Sequence, residues 1–149
     1  MFKTDYNSAI DAVSRLITYT GKTINLSFTI NPMSPFDIWA KMDNIILIIE
    51  HKLRTESSSD EFIKKYPDGC ILERAKENHI SNYLGFNPQI DGWFYINSFS
   101  DDSHIIYDMR NLILPEQQRM VCNATTHTNT GKVSKWVYIL PYNQAIILR

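Results

Sequence analysis

Five successive aliphatic residues, at positions 45–49, most constrain how this chain can fold. A strand that is apolar on both faces must be covered on both, so this segment is predicted to be a central strand of a sheet. Asp43 and Asn44, just before it, form a dipeptide typical of two-residue hairpin turns. The sequence therefore predicts a hairpin in which residues from Phe36 onwards pair with the apolar run, with Asp43 as a turn residue rather than a ligand.

The register of this hairpin brings two acidic residues side by side. A turn symmetric about residues 43 and 44 pairs Trp39 with Ile48. Two positions further from the turn, it pairs Asp37 with Glu50. Cross-strand partners have Cβ atoms about 5 Å apart, where like charges are destabilising unless something positive lies between them. A divalent metal ion would resolve the conflict, and Lys52 is the next residue on the same face.

Length and charge limit the class of protein. A chain of 149 residues is expected to form a single domain, residues 1–149, with a core of ordinary size. Its net charge of −1 means that any contact with nucleic acid must come from a local basic patch. Cys70 and Cys122 show neither metal-ligand spacing nor a disulfide framework, which favours an intracellular setting. We expect no signal peptide and no membrane segment, because no stretch approaches the ~20 apolar residues that a bilayer requires.

Hydrophobic periodicity predicts the elements before the hairpin. A helix is expected after a cap at Thr4 or Asp5, and Gly21 is its stop signal. The apolar stripe of this helix is Tyr6, Ile10, Val13 and Ile17. Residues 23–30 alternate strictly between polar and apolar and predict a half-buried strand.

The segment after the hairpin is predicted to continue with helices and then strands. Residues 55–60 are polar and predict an exposed loop, followed by a short helix at 61–66. A longer helix is predicted at about 70–83. Its expected stripe is Leu72, Ala75, His79 and Tyr83. Further strands are predicted at residues 93–99, 104–108, 133–140 and 146–148.

This element order, with an acid opening the second strand and acid-x-Lys closing the third, resembles the PD-(D/E)XK nuclease superfamily. Restriction endonucleases and Holliday junction resolvases share that fold. The matching residues are Asp37, Glu50 and Lys52, and the resemblance extends from the first helix to the end of the second long one. It implies an α/β, restriction endonuclease-like αβββαβ core, with a mixed central β-sheet flanked by helices and extra C-terminal strands.

The resemblance also implies roles for these residues. In the superfamily, two acids and the main-chain carbonyl between acid and lysine bind Mg²⁺, for which Mn²⁺ substitutes. These positions fall on Asp37, Glu50 and His51, whereas the His51 side chain has the opposite phase and points away. Lys52 would activate water or stabilise charge at the phosphate. Members often carry a polar residue on the second long helix that faces the site, which implies a part for Lys76.

The chemistry of phosphodiester hydrolysis agrees with this assignment. Mg²⁺ takes hard oxygen ligands, usually one or two carboxylates with several waters. It acidifies a water and neutralises charge on the phosphate, and a lysine adds a point charge there. However, an acid-x-Lys triplet occurs by chance about once in a chain of this length. The assignment therefore depends on the position of the triplet after an apolar strand. The alternative is a charged strand end with an incidental Lys52–Asp37 ion pair.

Several further residues are secondary candidates, each with an ordinary structural alternative. Glu73 would face the site from the same helix as Lys76, or the two form a routine surface pair. Asp11 would replace the glutamate that resolvase-type members carry on the first helix. A phosphate-binding patch would comprise Arg54, Lys132 and Lys135, unless these are scattered surface charges. Trp39 would stack on a base or belong to the core, and Trp93, Tyr95 and Phe99 belong to a core or an interface.

The sequence thus leads us to expect a Mg²⁺-dependent endonuclease acting on DNA, without a small-molecule cofactor. The Ile- and Asn-rich composition and small size look like a phage or mobile-element member working inside a bacterial cell. The first alternative is an inactive nuclease fold used to bind DNA or a protein. The second is a β-rich assembly protein with Asp37 and Glu50 far apart. A homodimer is expected to act on duplex or branched DNA, with self-pairing through the aromatic-rich strands after Gly92.

Overall fold

The computed structural model describes residues 5–19, 26–30, 38–42, 45–123 and 131–149. In these ranges the chain has three α-helices and nine β-strands, which is a mixed α/β fold. The helices are α1 (Asp5–Tyr19), α2 (Ser59–Lys65) and α3 (Arg74–Phe86). The strands are β1 (Leu26–Ile30), β2 (Ile38–Met42), β3 (Ile45–Leu53), β4 (Cys70–Glu73), β5 (Gly92–Ser98), β6 (His104–Asp108), β7 (Gln118–Asn123), β8 (Lys132–Leu140) and β9 (Ile146–Leu148).

The strands form two sheets. The larger has the order β1-β2-β3-β5-β6-β9, and it is mixed because β3 and β5 run parallel while the other neighbours are antiparallel. The smaller is antiparallel, with the order β4-β8-β7. The prediction that the apolar run forms a central strand is confirmed, because β3 lies between β2 and β5.

The predicted register of the β2–β3 hairpin is confirmed where the structure describes it. Trp39 lies opposite Ile48, as a turn at residues 43 and 44 requires. Asp37 and the two turn residues lie outside the described residues, and so does the side chain of Trp39. The pairing of Asp37 with Glu50 therefore stays a prediction.

Both faces of the larger sheet are covered. On one face, α1 buries a stripe against residues of the sheet: Ala9, Ala12, Val13 and Leu16 pack with Ile49, Ile96, Ile106 and Leu148. On the other face, residues from α2, α3 and the smaller sheet join the core, among them Phe62, Leu72, Ile80, Tyr138 and Leu140. Because side chains alternate along a strand, Ile48 and Glu50 belong to this second face, whereas Ile49 and His51 face α1.

The prediction of a helix over residues 70–73 is wrong. These residues form β4, which pairs with β8 so that Cys70 lies opposite Leu140. Burial along β4 follows the two-residue period of a strand, with Cys70 and Leu72 buried and Glu73 exposed. The long helix begins only at Arg74. The partner that makes residues 70–73 a strand comes from the end of the chain, so local periodicity could not reveal it.

The buried sides of the two long helices also differ from the prediction. α3 buries Glu77 and Ile80, while Ala75 and His79 are exposed. Of the predicted α1 stripe, Val13 is buried and Ile10 is half-buried; the side chains of Tyr6 and Ile17 lie outside the description. Alanines line this side of α1, which lets the helix approach the sheet closely.

Two further segments depart from expectation. Residues 55–60 are not a fully exposed loop, because Glu56 and Ser59 are buried and α2 already begins at Ser59. Ser58 caps this helix by accepting a hydrogen bond from the Glu61 amide at 3.0 Å. Strand β7 was not predicted. It lacks a clear apolar alternation, because none of its residues is fully buried and the apolar Val121 lies on its exposed side.

The aromatic-rich strand that begins at Gly92 is not exposed for self-pairing. β5 lies between β3 and β6, and its aromatic residues Trp93 and Tyr95 are 4% and 1% exposed. Phe99, just beyond the strand, is also buried. These aromatics are core residues, so self-pairing cannot use them, and the homodimer itself stays a prediction. Among the described strands, the sheet edges are β1, β9, β4 and β7.

Candidate active site

The candidate site lies at the C-terminal end of β3, on the face away from α1. Glu50, Lys52 and Arg54 alternate with residues of the other face and therefore point the same way. The parallel neighbour β5 places Tyr95 beside Glu50 and Asn97 beside Lys52. A central strand with neighbours on both sides holds such side chains more rigidly than a loop would.

Glu50 is a buried carboxylate between two ammonium groups. Only 2% of its surface is exposed. The Lys52 Nζ lies 3.9 Å from its Oε1, and the Lys76 Nζ lies 3.7 Å from its Oε2. A buried charge is tolerated when opposite charges compensate its lost hydration. The fold thus brings together Glu50, Lys52 and Lys76, three of the residues singled out in the sequence.

A cavity of about 270 Å³ opens beside this cluster. Its lining combines charged and apolar residues: Glu50, Lys52, Arg54, Ile71, Leu72, Glu73, Lys76 and Tyr95. Glu73 reaches it from the last position of β4, not from the helix that carries Lys76, which corrects the predicted placement. The Glu73 Oε1 also accepts a hydrogen bond from the Lys135 Nζ at 3.0 Å.

Arg54 is fixed by its neighbours in the lining of the cavity. Its Nε donates to the Asn97 Oδ1 at 2.8 Å, and one terminal nitrogen donates to the Tyr95 hydroxyl at 3.0 Å. That hydroxyl in turn donates to the Ile71 carbonyl at 2.8 Å. Burial raises the pKa of Tyr95, and the nearby Arg54 only partly opposes this shift, so the phenol stays neutral. A guanidinium held in this way presents a fixed positive charge to an anion.

Of the predicted basic patch, only Arg54 borders the cavity. Lys135 pairs with Glu73 beside it. Lys132 lies at the other end of the β7–β8 pair, opposite Asn123. The three basic residues therefore do not form one patch. Sequence could not show this, because the smaller sheet is assembled from segments that are distant in the chain.

A chain of buried polar groups runs on the opposite face of β3. The His51 Nε2 and the His104 Nδ1 lie 2.8 and 2.7 Å from the Ser98 Oγ. The His104 Nε2 lies 2.6 Å from the Asp11 Oδ2, and Arg15 lies near the same carboxylate at 3.7 Å. Asp11 therefore serves this chain and does not reach the side of the sheet that carries Glu50, which corrects its candidacy. The ring of His51 points away from Glu50, as its phase predicted.

This chain ties α1 to the sheet. Its order of aspartate, histidine and serine is that of a hydrolase triad. However, Ser98 and His104 are both 0% exposed, so no substrate carbonyl can approach the hydroxyl. We interpret the chain as a polar link inside the core. Sequence analysis did not find it, because the link depends on the pairing of β5 with β3 and β6.

The donor chemistry at Glu50 is compatible with Mg²⁺. The described residues contain no group of three or more His, Cys, Asp or Glu side chains that could hold a metal ion. Mg²⁺ does not need such a group, since it commonly takes one or two carboxylates and keeps several waters. Glu50 and the main-chain oxygen of His51 offer hard oxygen donors of the kind it prefers. Asp37, the other predicted ligand, lies outside the described residues.

Comparisons of the chain with protein-family models, curated proteins and solved structures found no match. No helix among the described residues is long and apolar enough to cross a membrane. The functional interpretation therefore depends on the Glu50 cluster. Its carboxylate is buried, its two cations come from different elements, and a cavity adjoins it, which is more than an ordinary surface ion pair offers.

Proposed function

We propose that this chain is a Mg²⁺-dependent endonuclease that hydrolyses phosphodiester bonds in DNA. One observation carries the proposal: the buried carboxylate of Glu50 lies between the ammonium groups of Lys52 and Lys76, at the end of a central strand and beside a cavity. Pairs of titratable groups in such surroundings are typical of catalytic sites. The cations suit a phosphate, and the carboxylate suits a hard metal ion.

The order of elements supports the same proposal. α1, the antiparallel strands β1 to β3, then α3 and the parallel strand β5 follow the αβββαβ order of restriction endonuclease-like nucleases. The short elements α2 and β4 are inserted between β3 and α3. In that superfamily the acid-x-Lys motif closes the third strand, where Glu50 and Lys52 lie here.

Each residue has a distinct part in the proposed reaction. Glu50, the main-chain oxygen of His51 and Asp37 would hold the Mg²⁺. When bound, the ion supplies a Lewis acid that activates water and offsets charge on the phosphate. Lys52 is half exposed, so its ammonium group can turn from Glu50 towards a phosphate oxygen. Lys76 compensates the buried charge of the carboxylate and adds positive charge to the lining of the cavity.

Arg54 has a different part from the lysines. Its side chain is already fixed by Asn97 and Tyr95, so it loses little conformational freedom when it binds an anion. A guanidinium also matches two phosphate oxygens at once. We assign to Arg54 the positioning of the phosphate next to the one that is cut.

A second candidate function is a nuclease fold that binds DNA without cutting it. One observation favours it: Lys52 and Lys76 already compensate the charge of Glu50, so the cluster is balanced without a metal ion. A catalytically inactive site of this kind would keep its positive groups for phosphate contacts. Mg²⁺ would not strengthen the binding of DNA at such a site.

Nicking of supercoiled plasmid DNA separates the two functions. The wild-type protein is assayed with Mg²⁺, Mn²⁺, Ca²⁺ or EDTA, beside Glu50→Gln and the control Asp68→Asn, an exposed carboxylate on the turn before β4. A nuclease nicks with Mg²⁺ and Mn²⁺, loses this with Glu50→Gln and keeps it with Asp68→Asn. Metal-independent DNA binding without nicking would instead establish the second function, and nicking by Glu50→Gln would exclude Glu50 as a ligand.

We further propose that the active unit is a homodimer. The described part of one chain offers a single candidate metal site, and cutting both strands of a duplex is simplest with two copies related by a two-fold axis. Since β5 is internal, an edge strand or a loop has to form the contact. Light scattering at micromolar concentration tests this: a monomer mass together with full duplex cleavage would refute the dimer.

A further inference from the structure

A second cavity, of about 560 Å³, adjoins the one at Glu50. It is lined by Glu73, Arg74, Ala75, Asn78, Lys135 and Trp136, so it lies between the start of α3 and the strand β8. Glu73 lines both cavities, which makes them neighbours. An extended ligand that passes Glu73 would therefore contact both cavities.

Trp136 is the most distinctive residue of this second cavity. Its side chain is 42% exposed, which is a large apolar area to leave in water. The Arg119 guanidinium lies 5.1 Å from the centre of its ring, because the two residues pair across β7 and β8. Val121, two positions along β7 on the same face, is 66% exposed. The face thus combines an indole with cations rather than forming a purely apolar patch.

The charges around Trp136 are mostly positive. Arg74 and Lys135 line the cavity, and Arg119 stands over the indole. Glu73 is the single acidic residue of the lining, and Lys135 already neutralises it. A polyanion with flat, aromatic units matches both properties. Base stacking on an aromatic side chain next to phosphate-binding cations is how proteins bind single-stranded nucleic acid.

We propose that the Trp136 cavity is a subsite for an unpaired nucleotide of the strand that enters the Glu50 site. Its base stacks on Trp136, and its phosphate contacts Arg74 and Lys135. The inference rests on the proposed nuclease function and specifies its substrate class. Bases within a duplex are already stacked on each other, so this subsite selects a single-stranded or frayed segment beside the cleavage position.

Binding measured without cleavage tests the subsite. A short fluorescein-labelled oligodeoxythymidine is titrated at low salt in EDTA with the wild type, Trp136→Leu and Trp136→Phe. The control is Phe86→Leu, an 87% exposed aromatic about 12 Å from Asn78 along the α3 axis. Loss of one base–aromatic stack should weaken binding by about fivefold or more, while Trp136→Phe retains most of it and Phe86→Leu all of it.

The same variants are also titrated with a blunt duplex, and their molar mass in solution is measured. Duplex affinity should change less than single-strand affinity in Trp136→Leu. Equal loss for both substrates, or wild-type affinity of Trp136→Leu for the single strand, would overturn the subsite. A change in molar mass without a change in oligonucleotide affinity would assign the face to self-association instead. If Trp136→Leu fails to fold, Arg74→Gln replaces it: weaker single-strand binding than in the wild type supports the subsite, and unchanged binding overturns it.

The two proposals can fail separately. Loss of single-strand binding in Trp136→Leu, from a protein that never nicks DNA, would leave the subsite standing and remove the nuclease function. Metal-dependent nicking of a frayed substrate by Trp136→Leu, with the KM of the wild type, would support the nuclease function and remove the subsite. Absence of any oligonucleotide binding by the wild type overturns the subsite outright.

Discussion

The Nζ of Lys76 lies 3.7 Å from the Oε2 of Glu50, although one residue belongs to α3 and the other to β3. The carboxylate is almost fully buried, so its charge depends on cations that arrive from other parts of the fold. Docking of α3 against the smaller sheet therefore completes the electrostatic balance of the central strand. Site and fold are coupled through this pair.

The first prediction concerns that coupling. Lys76→Met leaves the buried carboxylate with Lys52 alone, so we expect lower stability, whereas Glu50→Gln removes the charge that needs compensation. In urea denaturation, the double-mutant cycle should give a coupling energy of about 1 kcal/mol or more. Lys64→Met, on the exposed side of α2, is the control. Additive effects of the two substitutions would show that the pair is incidental.

The second prediction concerns metal binding. Mg²⁺ or Mn²⁺ at about ten times its dissociation constant should stabilise the protein by about 1.4 kcal/mol, or roughly 3–5 °C in Tm. Glu50→Gln should abolish the shift, and so should Asp37→Asn if the predicted pairing of the two acids is right. Differential scanning fluorimetry measures this. An equal shift in the wild type and Glu50→Gln would place the ion elsewhere.

The third prediction separates metal binding from catalysis. Lys52→Ala should remove nicking while the Tm shift with Mn²⁺ persists, because the proposed role of Lys52 is at the phosphate. The side chain is half exposed, so we expect little change in the fold. Both assays are run on the same preparation. A protein that unfolds instead would identify Lys52 as a structural partner of Glu50.

The fourth prediction concerns the polar chain behind the site. Ser98→Ala removes the hydroxyl that connects His51 and His104, and a buried polar group that loses its partner costs about 1–3 kcal/mol. Urea denaturation should show a loss in this range. Ser134→Ala, at an exposed position of β8, should cost about 0.5 kcal/mol or less. Equal effects would mean that water replaces the Ser98 hydroxyl.

The fifth prediction is a loss of stability at alkaline pH. Burial raises the pKa of Cys70 from 9.0 to about 11, so the folded chain holds this proton longer than the unfolded chain. The contribution is complete below about pH 9 and is lost as the pH rises to about 11. Urea denaturation from pH 8 upwards should show a shallower decline in Cys70→Ala than in the wild type or Cys122→Ala. An unchanged decline would assign it to the buried tyrosines.

Local pattern predicted the register of β2 and β3 well, because the apolar run and the turn-forming dipeptide at positions 43 and 44 are neighbours in sequence. It also placed His51 on the face opposite Glu50. It failed for residues 70–73, whose strand partner Leu140 lies at the far end of the chain. The contacts of Tyr95 and Asn97 with Arg54 were not predicted for the same reason. Contacts between distant strands follow from topology, which a single sequence does not display.

Strand β5 serves both sides of the sheet at adjacent positions. Asn97 fixes Arg54 beside the candidate site, and the next residue, Ser98, joins the two buried histidines on the α1 side. Because side chains alternate, a slip of β5 by one residue would send each group to the wrong face and break both networks together. A misaligned pairing would thus leave buried imidazoles and a guanidinium without these partners. The buried polar contacts on both faces of β5 therefore favour one register of this strand beside its parallel neighbour β3.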